Sequence, residues 1–254
     1  MRSHNTIDLP HRIFSVSELE TYERCPREYY LKYALGLPAN DILKGDAGAI
    51  PANVRGSIVH SVIQRYDPEN RAGNADLIMS LCLAASVNPD KKTLSDIERL
   101  LATFAGSDMA KHIGEGRREL RFDWRFENSI INGSIDWLKP EENGFSIVDF
   151  KTDTITKEEV DTRSAEYDLQ LVTYALAVTE ATGKKVSRTA LYFLEPDALF
   201  SRPMDAERAN DGKEKLRTII ASIKNEVFDI GKKTPPCRKC PYKHNGMCGI
   251  GGKV

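Results

Sequence analysis

Gly133-Ser134-Ile135-Asp136-Trp137 and, after a turn signal at Asn143-Gly144, Ile147-Val148-Asp149-Phe150-Lys151 decide the fold. Asn-Gly between two apolar-alternating runs marks a hairpin, so strands over roughly Ser129–Leu138 and Phe145–Lys151 are expected to pair antiparallel. Side chains alternate along a strand, which puts Asp149 and Lys151 on one face and Phe150 on the other. Asp136 is expected to face away from both Ile135 and Trp137, and the hairpin brings it beside Asp149. Two carboxylates so placed repel each other unless a cation lies between them, and hard oxygen ligands with room for water suit Mg²⁺ or Mn²⁺. Such an ion polarises a phosphate and lowers the pKa of a bound water. A nearby lysine ammonium orients that water or stabilises charge on the phosphate. The same residues also read as an exposed strand pair with Asp136 capping a turn, and the flanking sequence has to choose.

Upstream, Leu120, Phe122, Trp124 and Phe126 alternate with Arg121, Asp123 and Arg125, which adds a first strand and makes a three-stranded meander. Downstream come a helix over Ser164–Thr182 ending at Gly183, a strand over Arg188–Leu194 and an amphipathic helix over Asp211–Asp229. Towards the N-terminus, Phe14, Val16, Leu19, Tyr22 and Tyr29 fall at mostly helical spacing, and Ser17 with Glu20 has capping-box form, placing a helix start near Ser17. A loop from Gly36 to Pro51 leads to a helix over Val54–Tyr66 that contains His60. Leu77 to about His112 reads as short helices broken near Asn88-Pro89 and Gly106. Helices, three antiparallel strands, then helix, strand and helix suit one α/β domain with a mixed sheet. Within it, residues 70–115 read as a helical insert and 231–254 as a cysteine-rich tail.

With 41% hydrophobic and 29% charged residues in a chain of 254, there is apolar material for one sizeable core. No run of about 18 apolar residues spans a bilayer, and the first residues lack a secretory apolar stretch. A cytoplasmic protein without membrane contact is expected. A net charge of -1 gives no global sign of a polyanion partner, so nucleic-acid affinity has to come from local clusters of Lys and Arg. Five cysteines without an export signal point to metal binding or buried thiols rather than disulfides. Cys237, Cys240 and Cys248 put three soft ligands in one tail. By spacing alone, these with Cys25 or His244 would bind Zn²⁺. Cys82, in an apolar setting, reads as a buried thiol.

Joined to Tyr167-Asp168-Leu169-Gln170-Leu171-Val172-Thr173-Tyr174, the stretch from Gly133 to Asp153 closely resembles the RecB-like branch of the PD-(D/E)XK nucleases. The resemblance covers most of the chain and implies a single nuclease domain over 1–254 with a restriction-endonuclease-like mixed β-sheet core flanked by helices. It implies a metal-dependent deoxyribonuclease of exonuclease type, acting on DNA ends or single strands in DNA repair and recombination. Asp136, Asp149, the Phe150 carbonyl and His60 of Gly56-Ser57-Ile58-Val59-His60 would then hold Mg²⁺ or Mn²⁺, and Lys151 would be the catalytic lysine. Gln170 and Tyr174, four apart on one helix face, would position DNA and the active site, and Glu119 matches a recurrent acidic position.

Cys25 with Cys237, Cys240 and Cys248 resembles the 4Fe-4S staple of AddB-type and related CRISPR-associated nucleases, although the last gap is longer and His244 is a rival ligand. Such a cluster would have a structural role, closing the chain nearly end to end. Around it Arg24, Arg27, Lys32, Arg238, Lys239 and Lys243 would converge beside Tyr29, Tyr30 and Tyr242 and guide single-stranded DNA. Val148–Leu194 most resembles the nuclease domains of AddA- and RecB-type helicase-nucleases. The chain contains no Walker A motif, so it reads as a stand-alone nuclease or as the nuclease piece of a larger machine, which would supply a helicase subunit or domain as partner. A CRISPR adaptation nuclease and a catalytically silent DNA-binding scaffold are the competing readings.

Overall fold

The computed structural model describes residues 12–38, 50–67, 74–230, 237, 240–244 and 246–248. Alternation of apolar and polar residues drives β2 (Arg117–Phe126), β3 (Ser129–Glu141) and β4 (Gly144–Lys151) into the expected antiparallel meander. A helical crossover returns the chain as β5 (Lys185–Phe193), parallel to β4, as a parallel pair requires. Two further strands have no sequence signal. β6 (Ala198–Pro203) pairs antiparallel with β5, and β1 (Ile13–Ser15) pairs parallel with the first half of β3. Both are short and lie at margins of the sheet: Phe14 of β1 is fully buried, but Ile13 is 57% and Leu199 55% exposed. The sheet runs β1-β3-β4-β5-β6, with β2 on the other side of β3.

The hairpin turn falls one residue before the expected position, because Glu141 pairs with Gly144. Gly144 (φ +150°) is required for close approach: a Cβ there would lie 2.0 Å from the Lys185 carbonyl oxygen.

Ten α-helices are described: α1 (Val16–Arg24), α2 (Pro26–Tyr29), α3 (Ala52–Arg65), α4 (Asn74–Ala84), α5 (Lys91–Gly106), α6 (Asp108–His112), α7 (Val160–Ala165), α8 (Asp168–Thr182), α9 (Ala206–Lys224) and α10 (Pro241–His244). Leu19, Val172, Leu176, Leu216 and Ile220, from α1, α8 and α9, pack on Ile131, Ile135, Ile147 and Leu191 on one face of the sheet. Val59, Ile63, Ile97, Leu101 and Phe104, from α3 and α5, pack on Trp137, Val148, Phe150 and Tyr192 on the other. The stretch read as an insert therefore supplies much of one covering layer.

Several boundaries move for local reasons. The capping box is Ser15 with Glu18, not Ser17 with Glu20. The first helix breaks at Cys25, whose backbone is extended (φ -160°, ψ 104°), because Pro26 has no N–H with which to continue the ladder. A π-helical turn, Tyr30–Ala34, follows α2. The helix expected over Ser164–Thr182 is two, α7 and α8, parted at Glu166–Tyr167, and α8 ends at left-handed Gly183 (φ +67°). The helix expected over Asp211–Asp229 starts earlier, where Asp205 caps Arg208, and ends at Lys224. Most of the loop expected over Gly36–Pro51, and much of the cysteine-rich tail, lie outside the described residues.

Candidate active site

The β3–β4 ladder runs from Glu141–Gly144 to Trp137–Val148 and stops there. Just past its end, the Phe150 N–H donates to Asp136 Oδ2 at 2.8 Å, so the carboxylate satisfies a group left over where the strands part. Alternation in β3 fails at the same place. Ile135 and Trp137 are expected on one face, yet Ile135 packs in the α1–α8–α9 core and Trp137 in the α3–α5 core. The neighbouring strand is irregular at the same point. Pairing of β2 with β3 skips Glu119 and Asp136, and Glu119 sits at φ +49°, a conformation that costs a non-glycine residue about 1–3 kcal/mol.

At this kink the Glu119 carboxylate accepts from Ser134 Oγ at 2.8 Å, and His60 Nδ1 lies 3.2 Å from Asp136 Oδ2. One potential ligand atom from each of His60, Glu119 and Asp136 falls within 4.8 Å of the others. Gly56, one turn before His60, explains how α3 comes so close. A Cβ there would meet Thr152 Oγ1 at 3.0 Å, and Arg55 Nη2 donates to the Thr152 carbonyl at 3.1 Å.

On β4, Asp149 and Lys151 share a face as expected, with Phe150 in the opposite core. Lys151 Nζ lies 2.8 Å from Asp149 Oδ2 and donates to Gln170 Oε1 at 2.8 Å. Gln170 Nε2 in turn donates to the Tyr174 hydroxyl at 2.8 Å. Tyr174 is 4% exposed, with its ring edge-on to Phe122. It braces Gln170 from beneath, and burial removes it from the DNA-facing surface that the resemblance also implies for it.

Burial lowers the pKa of His60, but the charge and hydrogen bond of Asp136 outweigh it and hold the ring at about 8. Burial pushes Asp136 up, yet His60 and the Phe150 N–H bring it below the usual carboxylate range. Asp149 is held at about 6 by burial, with Lys151 opposing and Asp136 reinforcing the rise. Burial depresses Lys151, and the charge of Asp149 more than restores it, so the ammonium is held above its ordinary range. No sequence pattern marks Glu20 as a site residue, because its spacing from Ser17 suggests a capping box instead. It lies on α1, and burial raises its carboxyl to about 7 within electrostatic reach of Lys151 and Asp149.

These shifts predict a pH effect in chelator-treated protein. His60 binds its proton more tightly folded than unfolded, so its stabilising contribution is present below about 6.5 and lost as pH rises through about 8. Asp149 and Glu20 are also raised, from 3.8 to about 6 and from 4.5 to about 7, and each withdraws stability as pH climbs through that interval. Thermal unfolding from pH 5 to 8.5 should show stability falling, with a shallower slope in Asp149→Asn. A rise in stability over that range would contradict the electrostatics.

Cys25 caps α2, its Sγ accepting the Glu28 N–H at 3.4 Å. Cys25 and Cys248 are buried, and Tyr242 of α10 donates its hydroxyl to the Leu37 carbonyl at 2.8 Å. The tail thereby packs on Leu31 and Tyr30. Burial raises the thiols of Cys25 and Cys240, and Cys248 adds to both. Cys82 is buried beneath α3 and α5. Arg24 is paired with Glu28 at 2.8 Å, Arg27 lies over the Tyr30 ring at 5.1 Å and Lys32 over Tyr33 at 4.9 Å. Arg238, Lys239 and the His244 side chain lie outside the described residues.

Among the described residues no helix is long and apolar enough to cross a membrane. Curated relatives include an ATP-dependent helicase/nuclease subunit from Carboxydothermus hydrogenoformans, 50% identical over 68 residues, which are 27% of this chain and 6% of that protein. The protein of the same name from Bacillus anthracis is 28% identical over 172 residues, covering 56% of this chain and 14% of the relative. The matched part thus spans a small fraction of these proteins. A solved structure from Eubacterium rectale, of a protein provisionally described as an exonuclease, superposes with a TM-score of 0.54 at 14% identity over 100% of this chain and 94% of that one, a likeness of fold. The model of the PD-(D/E)XK nuclease superfamily matches residues 13–245. With a mixed sheet whose central strands part at Asp136 and carry Asp149 and Lys151 at that opening, the chain belongs to the PD-(D/E)XK nuclease superfamily.

Proposed function

We propose that the chain is a metal-dependent deoxyribonuclease acting on DNA ends or single strands, the nuclease part of a helicase-nuclease system in repair and recombination. The observation that carries this reading is the partly buried Lys151 ammonium, held between Asp149 and Gln170 next to the cluster of His60, Glu119 and Asp136. Two carboxylates and an imidazole converging at a strained kink suit a hard divalent cation. His60, Asp136, Asp149 and the Phe150 carbonyl, with Glu119 added by the geometry, would hold Mg²⁺ or Mn²⁺. When bound, that ion supplies Lewis acidity and a lowered water pKa. The chain's own residues do the rest. Lys151 places fixed positive charge where charge develops on the scissile phosphate. Gln170 holds Lys151, and Tyr174 holds Gln170. His60 must give up its proton to act as a ligand, so metal uptake should release protons below about pH 8.

The helicase partner rests on the relatives, which are named as helicase/nuclease subunits and are far longer than the matched segment. Linear single-stranded DNA with Mn²⁺ or Mg²⁺, against the same mixture with chelator, tests the activity. Degradation is expected only with metal. Tight DNA binding with no cutting under either ion would favour the silent scaffold.

Cys25, Cys237, Cys240 and Cys248 are assigned to a structural 4Fe-4S cluster, with Zn²⁺ as the alternative. Supporting this, Cys25 and Cys240, far apart in sequence, both lie within electrostatic reach of Cys248. Protein purified without oxygen should be brown, carry about four irons per chain and lose them in Cys25→Ser. Stoichiometric zinc without iron would assign the site to zinc.

A further inference from the structure

Lys151 has a third neighbour that the proposed mechanism leaves unused. Its Nζ lies 3.9 Å from the centroid of the Tyr167 ring, within cation–π range. An ammonium has three N–H bonds. Asp149 and Gln170 take two directions, each at 2.8 Å, and the ring covers a further side. Tyr167 is fixed in its turn: its hydroxyl lies 3.0 Å from both Asp153 oxygens and accepts from Arg163 Nη2 at 2.9 Å. Arg163 Nε also donates to Asp153 at 2.7 Å. Asp153 comes just after β4, Arg163 from α7 and Tyr167 from the N-cap of α8, so the break between those two helices is what lays the ring beside Lys151.

We propose that Tyr167 is a positioning residue, its ring face holding the Lys151 ammonium at the active site while Asp153 and Arg163 hold the ring. This rests on the role assigned to Lys151. Asp149 is also among the proposed metal ligands, so when its oxygens are engaged elsewhere the hold on Lys151 falls to Gln170 and Tyr167.

The test compares Tyr167→Leu, which keeps apolar bulk and loses the π face, with Tyr167→Phe, which keeps the face and loses the hydroxyl. With Mn²⁺ and linear single-stranded DNA, the single-turnover rate should fall roughly ten-fold in Tyr167→Leu and within about three-fold in Tyr167→Phe, with DNA affinity unchanged in both. In a Lys151→Ala background the Leu substitution should cost no further rate. A second readout needs no activity. In wild type and Tyr167→Phe the Lys151 ε-methylene protons should resonate upfield under the ring, and in Tyr167→Leu they should return to the ordinary lysine position. That shift with no DNA cleavage by wild type would sink the nuclease reading and leave the contact standing. Wild-type rates in Tyr167→Leu, an equal loss in Tyr167→Phe, or an ε-methylene signal that ignores the ring would overturn the proposal, and if the Leu variant does not fold, the Phe rate and the wild-type resonance still decide it.

Discussion

Replacing Lys151 with alanine is expected to slow DNA cleavage by about a hundred- to a thousand-fold, the range for removing one charge-stabilising group from a preorganised site, while DNA affinity stays near wild type. The substitution acts twice. On the proposed mechanism it removes positive charge beside the scissile phosphate, and it strips the buried Asp149 of its counter-charge. The Asp149 carboxyl already stands at about 6 with Lys151 pulling it down, so without the ammonium it moves higher and is partly protonated near neutrality. A ligand has to lose its proton before it takes a cation, so residual cleavage by Lys151→Ala at subsaturating Mn²⁺ should increase as pH is raised from about 6 to about 9, more steeply than in wild type. Lys151→Arg should not restore the rate, because a planar guanidinium cannot reproduce the compact contacts to Asp149, Gln170 and the Tyr167 ring. Single-turnover rates of the three proteins across that range check this, and equal rates in wild type and Lys151→Ala would remove Lys151 from the mechanism.

Phe150→Ala should be among the most destabilising single changes, costing about 3–5 kcal/mol. The side chain is 1% exposed and meets Phe104 edge-on at 5.5 Å and Tyr192 at 6.4 Å. Deleting it hollows the layer that α3 and α5 make with the sheet, the layer that also carries His60. Against a total folding stability of about 5–15 kcal/mol for a typical domain, that is a large share. The motif thus divides by alternation: Asp149 and Lys151 lie on the face of the proposed site, and the Phe150 ring packs in the opposite core. Urea unfolding of wild type and Phe150→Ala measures the difference, and a loss under about 1 kcal/mol would mean the ring is not the anchor its packing indicates.

The meander is legible in the sequence because Leu120 to Phe126 alternate with charged residues and Asn143-Gly144 marks a turn between the two apolar runs that follow. The electrostatic coupling of Asp136 and Asp149 follows from a hairpin whose turn chemistry lies in two residues, whereas the group of potential ligand atoms around Asp136 is completed by His60 and Glu119. His60 joins only through the Gly-x-x-x-His resemblance, and the physical reason for the spacing, the fit of Gly56 against Thr152, needs the packed structure. What is not legible depends on partners distant in sequence. Trp137 changes face where Glu119 on the paired strand takes a left-handed conformation, a coincidence that no local pattern marks. β1 and β6 are short marginal strands, and the one buried side chain they carry, Phe14, falls in step with the helical spacing of the residues after it. Glu20 has the spacing for a local capping role that Glu18 performs, and Tyr167 falls mid-helix by periodicity when it begins a new helix.

Asp136 ties these features together, accepting from the Phe150 N–H, pairing with His60 and standing beside Glu119. The most direct test is calorimetric titration of Mn²⁺ into wild type and Asp136→Asn, with cleavage of end-labelled single-stranded DNA followed in the same samples. Wild type should bind the ion and degrade the DNA, and Asp136→Asn should lose both while remaining folded. Undiminished cleavage by Asp136→Asn, or by wild type in excess chelator, would contradict a metal-dependent site built on this residue.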